Sequence, residues 1–224
     1  MYKLAIFDLD GTLADSLRDL ADAVNIALAE SGYPTHTVEA YKYFVGNGAN
    51  KLCERALPEG RKTDSEIKHL LARFAEHYRE HCFDHTVPYP GMPGTVKRLT
   101  EAGVICAVAS NKPDDFSQVV VEKLYGKGLF VIVRGKREGV PTKPSPDIVY
   151  SILEELGISA EETVFVGDSC VDVQTAHNSG LPCIGCDWGF RGEAELKANG
   201  CEVIAYRPEE LFELITDKAG IISK

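Results

Sequence analysis

Apolar and polar positions fall in blocks along this chain, and the period of the blocks changes twice. Leu4-Ala5-Ile6-Phe7 is an unbroken apolar run, the pattern of a strand buried on both faces of a parallel sheet. From Leu17 the period is helical: Leu17, Leu20, Ala21, Val24, Ala27 and Leu28 share a face. Asp15 or Ser16 serves as N-cap, and Gly32 and Pro34 lie beyond the end. Further helices are predicted over 38–44, 49–57 and 64–82, the last carrying Ile67, Leu70, Leu71, Phe74, Ala75 and Tyr78 on one side. Between 14 and 86 no strand candidate matches the first run.

Residues 87–94, Val-Pro-Tyr-Pro-Gly-Met-Pro-Gly, read as a linker. Beyond it, predicted strands at 104–109, 129–133, 163–166, 182–185 and 202–206 alternate with helices at 95–102, 113–124, 144–156, 171–179, 193–199 and 209–217. Such alternation indicates an α/β fold, a Rossmann-like doubly wound parallel sheet covered on both faces. The expected organisation is a core of 1–13 and 89–224 with an all-helical domain, 14–88, inserted after the first strand. The two chain crossings would form a hinge on which the helical part closes over the first strand's end.

The bulk numbers narrow the function classes. A length of 224 residues, 44% hydrophobic and 26% charged, is ordinary for a globular protein. A net charge of −10 argues against a nucleic-acid surface, which needs clustered Lys and Arg. No apolar run is long enough to span a membrane, and Asp8 and Asp10 interrupt the first one too early for a signal peptide. A cytoplasmic protein is expected. Seven scattered cysteines suit reduced thiols better than a disulfide framework. Cys183-x-x-Cys186 has no second ligand pair at zinc spacing and reads as a strand end.

The candidate chemistry sits where apolar runs stop. Asp8 and Asp10 follow the first strand, and alternation along extended backbone lets both point the same way. In an open α/β sheet that end of the strands is where ligands bind. Two carboxylates held close repel, and a hard cation such as Mg²⁺ or a shared proton relieves them. An Asp-rich turn is the plain alternative. Ser110-Asn111-Lys112-Pro113 follows the second core strand, and a hydroxyl with backbone N–H groups at a helix start makes an anion site, or simply an N-cap. Lys143 lies between Thr142 and Pro144 just ahead of a predicted helix, placed to neutralise anionic oxygens unless it is a solvated surface charge. Asp168 ends another strand and Asp172 follows one helical turn on, as metal ligands or as a helix cap and a first-turn charge. Capping explains each occurrence alone, but not their joint recurrence at strand ends.

Together these residues resemble the haloacid dehalogenase superfamily of phosphotransferases. Its four motifs match Asp8-Leu-Asp10-Gly11-Thr12, Ser110-Asn111, Lys143-Pro-Ser-Pro146 and Gly167-Asp168-Ser-x-x-Asp172. The inserted helices resemble the superfamily's α-helical cap. The resemblance implies Asp8 as nucleophile forming an aspartyl-phosphate, and Asp10 as acid to the leaving oxygen and base to the hydrolytic water. It implies Mg²⁺ on Asp8, the Asp10 carbonyl and Asp168, with Asp172 supporting its water shell. Ser110 and the Asn111 amide, with Gly11 and Thr12, would hold phosphoryl oxygens, and Lys143 would offset their charge. Family dehalogenases lack an acid at the second position, so Asp10 points to phosphatase chemistry.

Within the superfamily the chain looks most like phosphoglycolate phosphatases and their near relatives, through residues 44–49, 89–91, 110–113 and 188–192. Gly46, Asn47, Lys112 and Arg191 are the substrate-binding residues this implies, the last two as partners of a substrate carboxylate. The expected activity is a Mg²⁺-dependent phosphatase acting on a small phosphorylated metabolite, with 2-phosphoglycolate the best single substrate, in a monomer or homodimer. Pyrophosphatase, phosphosugar mutase and a phosphate-sensing binding module are the rivals. Residues 125–141 depart from the usual spacing but touch no catalytic position. His77, His81 and His85, with His69 upstream, recur at helical spacing, and a solvated face is preferred to a zinc site. Trp188 either packs under the substrate loop or fills a gap.

Overall fold

The computed structural model describes residues 1–217 of the chain. In chain order its elements are β1 (Leu4–Phe7), β2 (Ala14–Asp15), α1 (Leu17–Glu30), α2 (Val38–Phe44), α3 (Ala49–Ala56), α4 (Asp64–His81) and β3 (Val87–Pro88). There follow α5 (Met92–Glu101), β4 (Ile105–Pro113), α6 (Asp114–Tyr125), β5 (Ile132–Lys136), α7 (Asp147–Leu156) and β6 (Thr163–Gly167). The last are α8 (Cys170–Asn178), β7 (Cys183–Cys186), α9 (Gly192–Ala198), β8 (Val203–Ala205) and α10 (Glu210–Thr216). The last seven residues of the expected core span, 218–224, lie outside the described residues.

Six strands form one sheet in the order β5-β4-β1-β6-β7-β8, and every neighbouring pair is parallel. β1 lies between β4 and β6, with Leu4 opposite Ile105 and Thr163, and Phe7 opposite Val108 and Val166. The chain builds outward on one side of β1 through β4 and β5, then returns to build β6, β7 and β8 on the other. β1 is therefore the switch point of the sheet, and the crevice beyond its carboxyl end is where this topology binds ligands. All four β1 side chains are fully buried. Leu4 and Ile6 face a cluster with Ile148, Val149 and Ile152 of α7 and Val173 and Ala176 of α8. Burial of Ala5 and Phe7 on the opposite face explains why the run is apolar throughout rather than alternating.

The chain divides into two compact units, one of Met1–Ala14 with the chain from Pro88 onward, the other Asp15–Val87. The second is helical, with α1 packed along α4 and against α2. Thr63 starts α4 by accepting a hydrogen bond from the Glu66 N–H, as an N-cap does. At the other end of the unit, buried Asp19 on α1 accepts from the backbone N–H groups of His85 and Thr86 and from the Thr86 hydroxyl. That carboxylate fixes the segment by which the chain leaves the unit.

Several expected boundaries move. The chain does form strand between 14 and 86: Ala14–Asp15 pairs with Val87–Pro88 as a two-stranded ribbon where the chain passes between units. Ser16 is the N-cap position of α1 but makes no side-chain cap bond there. α5 starts at Met92 inside the expected linker, because Pro93 in the first turn has no N–H to satisfy. β5 runs from Ile132 to Lys136 rather than over 129–133. Phe130 packs edge-on against Phe7 and Tyr125 ahead of the strand, and the sheet edge accepts polar Arg134 and Lys136 instead.

Replacing Asp19 by Ala should leave three donors without their acceptor and cost about 3 kcal/mol of stability. Urea unfolding should show a lower midpoint at unchanged slope; a loss below about 1 kcal/mol would contradict this role for the carboxylate.

Candidate active site

Three carboxylates meet beyond the carboxyl ends of β1 and β6. Asp8 follows the last residue of β1, and its N–H donates to the Val166 carbonyl of β6, fixing the backbone there at 2.9 Å. Asp168 follows β6, and Asp172 lies in the first turn of α8. One oxygen of each lies within 4.8 Å of the others, and all three residues are buried. The Lys143 ammonium enters this cluster, donating to Asp8 Oδ1 at 2.7 Å and to Asp172 Oδ1 at 2.8 Å.

Each member is held by groups outside the cluster. Asp172 Oδ2 accepts from the N–H and hydroxyl of Ser169, which is the N-cap of α8. Asp168, for which a helix cap is the plain alternative to a metal ligand, does not cap the helix. It accepts instead from the Phe190 N–H at 2.8 Å and the Thr12 hydroxyl at 3.3 Å. Thr12 is in turn fixed by the Trp188 indole, which donates to its carbonyl at 3.1 Å. Two glycines make the close approach possible. A Cβ on Gly11, whose φ is +93°, would stand 2.5 Å from Asp168 Oδ2, and one on Gly167 would stand 2.3 Å from the Asp172 Cβ.

Ser110 and Asn111 lie inside β4 and not at a helix start. Neither caps α6, whose N-cap position is Pro113. Ser110 is buried and its Oγ accepts from the Lys112 N–H at 3.2 Å. The Asn111 side chain has a task that spacing did not suggest. Its Nδ2 donates to the Lys143 carbonyl and its Oδ1 accepts from the Lys143 N–H, at 3.0 and 2.8 Å. This reciprocal pair fixes the backbone from which the ammonium extends. Lys112 donates to both carboxylate oxygens of Asp10, at 3.1 and 3.2 Å. Asp8, Asp10, Thr12, Lys112, Lys143, Asp168 and Asp172 are thus joined in one region with Gly11.

The remaining expected site residues have other surroundings. Arg191, at the start of α9, pairs with Glu195 at 3.3 Å. Gly46 and Asn47 belong to the helical unit, in the turn between α2 and α3. There Arg55 holds the turn, donating to the Phe44 carbonyl and to Asn47 Oδ1. Cys183 and Cys186 are the two ends of β7, and all seven cysteines are free.

The electrostatics follow from burial. Desolvation, and then the Asp172 charge, raise the Asp8 carboxyl to about 7 against the pull of Lys143. Asp168 is also raised well above the ordinary carboxylate range, by burial and by its two acidic neighbours. Burial disfavours the Lys143 ammonium, but Asp172 and Asp8 outweigh it and the net shift is upward. Three carboxylates around one ammonium carry two surplus negative charges when ionised. A divalent cation with hard oxygen preference matches both the surplus and the donor set. The residues present fit Mg²⁺.

The chain matches the haloacid dehalogenase-like hydrolase family over residues 5–186. It is 36% identical over 227 residues to the phosphoglycolate phosphatase of Mannheimia succiniciproducens, covering 99% of this chain and 98% of that one. The phosphoglycolate phosphatase of Pseudomonas putida is 36% identical over 192 residues, covering 84% and 70%. A crystal structure from Lactobacillus delbrueckii subsp. bulgaricus, provisionally assigned as a phosphoglycolate phosphatase, superposes with a TM-score of 0.91 at 36% identity, covering 96% and 98%.

Because the folded chain holds Asp8's proton up to about 7 and the unfolded chain releases it near the ordinary carboxylate pKa, the charge on Asp8 destabilises the metal-free fold as pH rises between those values. Asp8→Asn removes that dependence. Thermal unfolding in EDTA should show the variant gaining on the wild type as pH rises through this window; a difference that stays constant, or shrinks, would contradict it.

Proposed function

The chain belongs to the haloacid dehalogenase-like hydrolase family and is a phosphoric monoester hydrolase, and we propose that it releases phosphate from 2-phosphoglycolate through a phosphoryl group carried on Asp8. The observation that carries this reading is the 2.7 Å contact between the Lys143 ammonium and Asp8 Oδ1, which lets both act on one phosphoryl group. Asp8 attacks phosphorus in line with the leaving alkoxide, the P–O bond to glycolate breaks, and Asp10 supplies the proton that the alkoxide needs. Water then attacks the phosphorus of the aspartyl-phosphate, Asp10 takes its proton, and Asp8 is regenerated as a carboxylate. Lys143 offsets charge on the phosphoryl oxygens, while Ser110 and the Asn111 N–H position them. Mg²⁺ held by Asp8, Asp168 and the Asp10 carbonyl, with Asp172 in support, would supply Lewis-acid stabilisation of the same oxygens.

Lys112 links this chemistry to the substrate. Its ammonium donates to both oxygens of Asp10. The carboxylate of phosphoglycolate competes for the same ammonium, and taking it frees Asp10 to carry a proton to the leaving oxygen. Phosphate release should require Mg²⁺ and fall by about three orders of magnitude or more in Asp8→Asn. Lys112→Met should raise the KM for phosphoglycolate by about one to two orders of magnitude, the worth of one charged hydrogen bond. Its effect on p-nitrophenyl phosphate, which has no carboxylate, should be smaller. Equal losses on both substrates would remove the substrate assignment while leaving the phosphatase; turnover in Asp8→Asn would remove the covalent step.

A further inference from the structure

The histidine series on α4 takes no part in the chemistry above. In the helical unit, a cavity of about 430 Å³ opens between α1 and the end of α4, lined by His77, His81, His85, Asp19, Asp22 and Asp84 among others. Asp19 is occupied with the backbone of residues 85–86. The other five offer imidazole and carboxylate groups from three separate stretches of chain to one space.

We propose that this cavity binds one divalent transition-metal ion, of the zinc or cobalt(II) kind, on His77, His81 and Asp22. His77 and His81 stand four residues apart on α4, which puts them on one face a single turn apart. Asp22 comes from α1, the helix packed along α4. The carboxylate ligand is thus supplied by a different helix.

Each imidazole is already engaged through one ring nitrogen by a carboxylate. His81 Nδ1 meets Asp84 Oδ2 at 2.8 Å, and His77 Nε2 meets Glu30 Oε1 at 3.1 Å. A carboxylate on one nitrogen fixes the ring and makes the other nitrogen a better donor to metal, the arrangement found behind metal-bound histidines generally. That leaves His81 Nε2 and His77 Nδ1 for an ion. Asp22 Oδ2 takes the Arg18 Nε–H at 2.7 Å, which leaves its Oδ1. Among the described residues, only Asp8, Asp168 and Asp172 already bring three possible ligand atoms, histidine nitrogens included, within 4.8 Å of one another, so the histidine set would have to close on the ion by side-chain rotation. Asp22, with a side chain 40% exposed, has the room to turn, and its turning leaves both histidine–carboxylate contacts in place.

The donor set decides which ion is taken. Imidazole suits zinc, cobalt and nickel, whereas Mg²⁺ prefers oxygen ligands alone. An anion is excluded by the carboxylates that share the cavity. The ion would tie the last turn of α4 to α1 and stabilise the helical unit by mass action.

The test is a Co²⁺ titration of the full chain in excess Mg²⁺, which occupies the all-oxygen group at Asp8, followed by visible absorption and equilibrium dialysis. One Co²⁺ per chain should bind with the spectrum of a nitrogen-containing site. His77→Gln, His81→Gln and Asp22→Asn should each weaken it by about tenfold or more. His69→Gln, on the same helix, exposed and outside the cavity, should leave it unchanged. The metal-free melting temperatures should stay close to the parent's, and three independent removals keep the test decisive if one variant folds poorly. Absence of Co²⁺ binding beyond what Mg²⁺ displaces, undiminished binding in the two histidine variants, or equal weakening by His69→Gln would overturn the proposal.

Discussion

One buried ammonium held among three buried carboxylates is the constraint that the rest of the molecule serves. Taking an ion out of water costs several kcal/mol, and attraction between charges repays it only where the geometry is tightly set. Lys143 reaches Asp8 and Asp172 at hydrogen-bond distance, yet Asp168 beside them is not matched by a second cation in the cluster. The surplus appears as the upward displacement of Asp8 and Asp168 toward their protonated forms. A divalent cation with oxygen ligands would offset that surplus.

The parallel sheet is what makes so much charge tolerable. β1, buried on both faces, delivers Asp8 at its tip, and its neighbour β6 delivers Asp168 just past its own end. α8 begins immediately after β6, and Asp172 serves two structures with its two oxygens: one completes the helix cap with Ser169, the other receives Lys143. The lysine itself sits on a loop, so its position depends on the Asn111 side chain, which binds the Lys143 backbone on both its polar groups. Packing places the strands, capping places the helix, and a single side-chain amide places the cation.

Much of this was legible in the sequence because apolar runs that end abruptly in charge are visible one strand at a time. β1 and β6 could be read that way, with Asp8 and Asp168 just past their ends and Asp172 one helical turn on. The strand after Val104 could not be followed to its end, since Ser110-Asn111-Lys112-Pro113 has no apolar side chain to mark it, yet its backbone continues in β4. Residues 129–133 misled in the opposite sense, because Phe130 is apolar for ring packing with Phe7 and Tyr125 rather than for strand membership. The partnerships of Asn111 with Lys143 and of Lys112 with Asp10 join residues 32 and 102 positions apart, and no local period reports them. The same holds for His77 of α4, whose acidic neighbour Glu30 lies on another helix.

The central claim is that Asp8, and no other carboxylate of the cluster, takes the phosphoryl group. Acid-quenching the protein during turnover of phosphoglycolate with Mg²⁺, reducing any acyl phosphate with tritiated borohydride and mapping the labelled peptide tests this directly. The account predicts tritiated homoserine at position 8. Label at position 10, 168 or 172, or no label while phosphate is being released, would contradict it.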